Sequence, residues 1–168
     1  DVLALPHQKV ILPDLAAGCS MADMAPADEL AICWSELEQM GMAARTVPVT
    51  YINSAAAIKS LVGEHGGTVC TSSNAAAVLK WGWEQKEKIL FLPDQFLGAH
   101  VQRVTGRANM HIWAGECHVH AAISGDQLVQ RVREEPDAEL LIHLECGCAT
   151  SALYLAGEVI VPEDHTHI

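Results

Sequence analysis

The chain has 168 residues, of which 50% are apolar and 18% charged, so it can bury a sizeable core and does not read as disordered. A net charge of −11 lacks the Lys/Arg footprint of a nucleic-acid binder, and no apolar run approaches the ~18 residues of a membrane span. The opening DVLALPHQKV shows neither a basic leader nor a cleavage pattern, so we expect a cytoplasmic protein whose six cysteines are reduced.

In chain order, KVIL (9–12) reads as a buried strand ended by Pro13-Asp14. A helix follows from Ala27 to Met40, with Leu30, Cys33, Trp34 and Leu37 on one face, and Gly41 stops it. TVPVTYI (46–52) is a second strand whose proline suggests an edge or an irregular start. Ser54 is placed to cap the helix AAAIKSLV. TVC (68–70) is a short strand, and Asn74 opens the helix AAAVLKWGWEQ. Then come the strand KILFL (88–92), again ended by Pro-Asp, and the strand MHIW (110–113). The remainder reads as a helix near 125–134, a strand AELLIH (138–143), a helix near 150–156, and a closing HTHI that begins another strand.

Strands alternate with helices, which predicts an α/β fold of parallel βαβ units with helices on both faces of the sheet. KVILPDLAAG (9–18) also echoes KILFLPDQFLG (88–98), which allows an internal repeat.

Ligands in such sheets bind beyond the carboxyl ends of the strands. Cys19 and Cys117 each follow a strand-like run and a Gly-containing loop there. Cys19 reads either as a core thiol or as a thiolate at a helix start. Cys117 and His120 form C-x-x-H, a fragment of a zinc or iron site or simply a polar loop. His143 and Glu145 are candidate acid/base partners, with Cys146 and Cys148 beside them. Tyr51 and Asn53 are two apart and share a side of an extended segment. Ser72, Ser73 and Asn74 open a helix whose N-terminus suits a phosphate or carboxylate, or is a plain cap. Cys33 and Cys70 read as core thiols, and Trp81 and Trp83 cannot share one helix face.

The motifs PDLAAGCSMADMA, TYINS, VCTSSNA, FLPDQ-x-LG, WAGECHVH and H-x-EC occur in this order. Together they closely resemble the quinolinate synthase family of bacterial NAD biosynthesis, and ECGCATSALYLAGE is most similar to its actinobacterial branch. The resemblance implies three-layer αβα units with short parallel sheets, part of a pseudo-threefold three-domain fold. It places the end of a first domain at 1–43, a nearly complete second at 44–120 and the start of a third at 121–168. It also implies a 4Fe-4S cluster held by one Cys from each domain, with the fourth iron open as a Lewis acid.

The implied reaction is a transferase-type condensation of iminoaspartate with dihydroxyacetone phosphate to quinolinate, with a functional link to L-aspartate oxidase. Residue by residue, Cys19 and Cys117 match the first two cluster ligands. Tyr51, Asn53, Ser72 and His120 match substrate-binding positions, with Tyr51 also counted as catalytic. His143 and Glu145 match the acid/base pair of the family's H-P-E. Here that motif is His143-Leu144-Glu145, and Phe96 stands where the branch more often has a polar residue. The family's N-terminal H-N-Y, third cluster Cys and STGGM-type loop have no counterpart in these residues. The chain therefore reads as an excerpt of the enzyme, or as a remnant of the fold without a complete site. A zinc hydrolase built on Cys117, His120, His143 and Glu145 is the remaining reading.

Overall fold

In the run TVPVTY both alternating sets of side chains find apolar cover, as in a strand with helices on each face. It forms β1 (Thr46–Tyr51), buried along its whole length. The computed structural model describes residues 7–9, 11, 13–14, 16–122, 124–142 and 166–167, with His120, Ala121 and Thr166 described by backbone alone. β1 lies inside a four-stranded, wholly parallel sheet with β2 (Thr68–Cys70), β3 (Lys88–Leu92) and β4 (Met110–Ile112), in the order β2-β1-β3-β4.

Helices α1 (Ala27–Gln39) and α2 (Ala56–Glu64) cover one face of the sheet. There Leu30, Trp34, Ile58 and Val62 pack on Leu90 and Leu92 of β3. Helices α3 (Ala75–Gln85) and α4 (Gln95–Thr105) cover the other. There Leu79, Leu97 and Val101 pack on Val47, Val49, Ile89 and Phe91. The two alternating registers of β3 thus feed two cores, β1 adding Val47, Val49 and Tyr51 to one of them, and each fully buried Leu, Ile or Phe contributes roughly 1.5–3 kcal/mol. After β4 come the short α5 (His118–Ala121) and the exposed α6 (Gly125–Glu134). A separate parallel pair joins β5 (Leu140–Leu141) to β6 (Thr166–His167). The predicted alternation and the α/β class are therefore seen, and the closing HTHI does contribute a strand. No helix among the described residues is long and apolar enough to cross a membrane.

Five readings of the sequence are corrected. The described residues of KVIL, Lys9 and Ile11, lie in no strand, and Ile11 is 86% exposed. No strand pairs with it among the described residues, so the echo of 9–18 in 88–98 does not extend to a shared strand. β1 is central, not an edge. Its pairing with β2 begins only at Val49, one residue after Pro48, so on that side the proline is still unflanked.

Ser54 does not cap α2. Ala55 holds that position without a side-chain bond, while the Ser54 hydroxyl donates to Tyr51 O at 2.8 Å. Cys19 is not at a helix start either. It opens a turn closed by Ala22 N–H donating to its carbonyl at 2.9 Å, and α1 begins at Ala27. The sequence reading also left 93–109 without a helix. α4 is there, capped by Asp94, whose carboxylate accepts from Leu97 N at 2.6 Å, and ended by Gly106 in the left-handed conformation at φ 66°. The predicted helix near 150–156 lies outside the described residues.

Candidate functional site at the carboxyl edge of the sheet

β1 and β3 are neighbours, yet the chain leaves β1 toward β2 on one side and β3 toward β4 on the other. Their carboxyl ends therefore open a crevice, the place where such sheets take ligands. Four loops meet at this edge: 52–55 after β1, 71–74 after β2, 93–94 after β3, and 113–117 after β4. Tyr51, Asn53, Ser72 and Cys117 all lie on these strand ends and loops.

Tyr51 ends β1 and is only 6% exposed. Its carbonyl receives the Ser54 hydroxyl, which in turn accepts from Thr50 Oγ1 at 3.1 Å, so the chain turns sharply there and presents Asn53. After β2, the Asn74 side chain accepts from Thr71 N at 2.7 Å and Thr71 Oγ1 lies 3.0 Å from Ser73 Oγ. These bonds fix the turn that holds the half-buried Ser72 at the amino end of α3.

The turn bearing Cys19 comes from the other end of the sequence and is clamped onto the loop after β4. Ser20 Oγ sits 3.1 Å from Cys117 Sγ, across 97 positions of chain. Trp113 Nε1–H donates to Met24 O at 3.0 Å. Gly115 lies so close that a Cβ there would meet the Pro93 carbonyl oxygen and, at 3.0 Å, Met24 Cβ. Gly115 also pairs with Asp94 as an isolated bridge, and its carbonyl receives Gln95 N–H at 3.0 Å. Met21 is buried in the cluster that holds Tyr51, Cys70 and Cys117, and its sulfur faces Asn53 Nδ2 at 4.0 Å.

Cys117 is 3% exposed and Cys19 is exposed. One buried and one open thiol thus sit on loops pinned to each other by Ser20 and Trp113, and thiols are the donor type that soft metals take. Among the described residues no three His, Cys, Asp or Glu side chains converge as a metal site. The side chain of His120, and all of His143, Glu145, Cys146 and Cys148, lie outside the described residues. Cys33 stands apart on α1, its thiol pushed up first by burial and then by the Glu36 carboxylate. Sequence reasoning gave no functional role to Ser20, Met21 or Trp113. The signal for the first was its place beside Cys19 in GCSMAD.

The fold and this edge define a parallel α/β unit that presents polar loop residues to one crevice and pins a cysteine-bearing turn onto its last loop. A profile of the quinolinate synthetase A protein family matches residues 1–163. The chain is 53% identical over 163 residues to a quinolinate synthase of Mycobacterium tuberculosis strain H37Rv, covering 97% of the chain and 44% of that protein. It is 51% identical over the same length to one of Mycobacterium leprae strain TN, covering 43% of it. The chain belongs to the quinolinate synthetase A family, and it spans a little under half the length of these relatives.

Proposed function

We propose that this chain is part of a cytoplasmic quinolinate synthase that condenses iminoaspartate with dihydroxyacetone phosphate in NAD biosynthesis, alongside an L-aspartate oxidase that supplies the imine. The observation that carries this reading is the clamp of the Cys19 turn onto the Cys117 loop, beside Tyr51, Asn53 and Ser72 at one sheet edge. Cys19 and Cys117 would hold two corners of a 4Fe-4S cluster, with the third thiolate from outside residues 1–168. When bound, the cluster supplies a Lewis acid at its open iron.

The residues of this chain do the rest. The Tyr51 hydroxyl and Asn53 amide orient the substrate by hydrogen bonding. Ser72 and the amide groups at the start of α3 bind a phosphate or carboxylate oxygen. His120 binds substrate beside Cys117, and His143 and Glu145 bind it and move protons during ring closure. The packed face of Met21, Tyr51 and Cys70 keeps water from the inner side of the crevice.

Anaerobic reconstitution of the full-length protein with iron and sulfide tests this. It should give a thiolate-to-iron absorption band and quinolinate formation, both lost in Cys117→Ser. Quinolinate formation retained by that variant would overturn the assignment, and tight zinc binding with hydrolytic turnover would favour a zinc site instead.

A further inference from the structure

We infer that Ser20 is a positioning residue that donates a hydrogen bond to the sulfur of Cys117 and thereby tunes the metal group that this sulfur holds. The inference rests on the cluster reading above and deepens it. The contact is Ser20 Oγ to Cys117 Sγ at 3.1 Å, within hydrogen-bond reach of sulfur. In the metal-free protein either atom can donate. A sulfur bound to iron has lost its proton, so the hydroxyl must then be the donor.

Three features make the bond count. Cys117 is 3% exposed, so bulk water is a poor competing donor and a thiolate there depends on protein groups for its hydrogen bonds. The hydroxyl is held in place before any ligand arrives. Ser20 lies in the turn closed by Ala22 N–H to Cys19 O, Met21 and Ala25 beside it are buried, and Trp113 ties Met24 to the β4 loop. Ser20 also follows Cys19 directly, so one residue joins the two ligand loops. A hydrogen bond to a ligating sulfur draws electron density away from the metal, which favours the reduced form and strengthens an open iron as a Lewis acid.

The experiment uses the full-length protein, reconstituted anaerobically, and follows the cluster's midpoint potential by electron paramagnetic resonance. Ser20→Ala should make one-electron reduction less favourable by about fivefold in equilibrium constant, the scale of one hydrogen bond. Ser20→Thr, which keeps the hydroxyl, should restore the wild-type potential. Ser20→Val has the shape of Thr without the hydroxyl, so the Thr/Val pair isolates the bond if Ser20→Ala does not hold a cluster. Equal potentials for wild type and Ser20→Ala, or for Thr and Val, overturn the inference alone. A wild-type protein that takes up no cluster overturns the parent reading and this one with it.

Discussion

Replacing Gly115 by Ala should separate the two loops that build the site. The added Cβ would meet the Pro93 carbonyl oxygen, with Met24 Cβ at 3.0 Å and Met24 O at 3.2 Å. Two of these neighbours are backbone and the third is fixed to it, so no side-chain end can swing aside. Overpacking of this kind costs about 1–3 kcal/mol. If the loop instead moves off, it strains the Gln95 N–H to Gly115 O bond, the Trp113 to Met24 bond and the Ser20 to Cys117 contact. Each is worth about 0.5–1.5 kcal/mol, so both routes lead to a loss of about 2–3 kcal/mol.

Urea unfolding followed by tryptophan fluorescence reads this directly, since the Trp113 indole is itself in the clamp. Gly63→Ala is the control. It lies inside α2 with nothing within 4 Å of a Cβ and should stabilise by about 0.5–1 kcal/mol. A Gly115→Ala midpoint as high as that of the control would refute the clamp as described.

Two further outcomes follow from the ionisable groups. His100 is held below its ordinary value of 6.5, first by partial burial and then by the Arg103 guanidinium, whose Nη2 lies 3.3 Å from its Nδ1. A lowered folded value means that its contribution is fully present above pH 6.5 and is lost as pH falls through the folded value. His100→Gln should flatten that part of the stability profile in thermal melts from pH 7.5 down to 5, and an unchanged slope would count against it. Among the thiols of the metal-free protein, the exposed Cys19 should alkylate with iodoacetamide faster than Cys33, whose thiol is raised and half-buried. Mass spectrometry of the tryptic peptides gives the order, and Cys33 reacting first would contradict it.

The four strands of the main sheet were legible because each is a short apolar or β-branched run bounded by turn residues, and α1, α2, α3 and α6 because their apolar spacing is helical. α4 escaped for a physical reason. Its inner face is made of Leu97, Gly98 and Val101, and the glycine is where the helix meets the sheet most closely. A Cβ at Gly98 would lie 2.6 Å from Ile112 Cγ2 and 3.0 Å from Phe91 Cδ1. In the sequence such a glycine looks like a breaker, although Asp94 and Gly106 mark both ends of the helix.

KVIL misled in the opposite direction. Its hydropathy is that of a strand, but a strand also needs a neighbour, and hydropathy does not report one. Ser54 was a natural cap by position, yet its hydroxyl is spent on the Tyr51 carbonyl. At the site, the polar loops after the strands and the Cys117 loop after β4 were legible because parallel sheets bind ligands at that edge, whereas Cys19 follows no strand among the described residues. The contacts that hold the two cysteine loops together depend on Ser20, Met24, Trp113 and Gly115; Ser20 stands beside Cys19, and no local pattern announces the other three.

The Ser20–Cys117 contact joins positions 97 residues apart, on either side of the whole four-stranded sheet. During synthesis the first thiol leaves the ribosome long before the second, and the loops meet only after four strands and their crossover helices have docked. Contact across so long a stretch of sequence makes the pairing of these two loops a late event in folding.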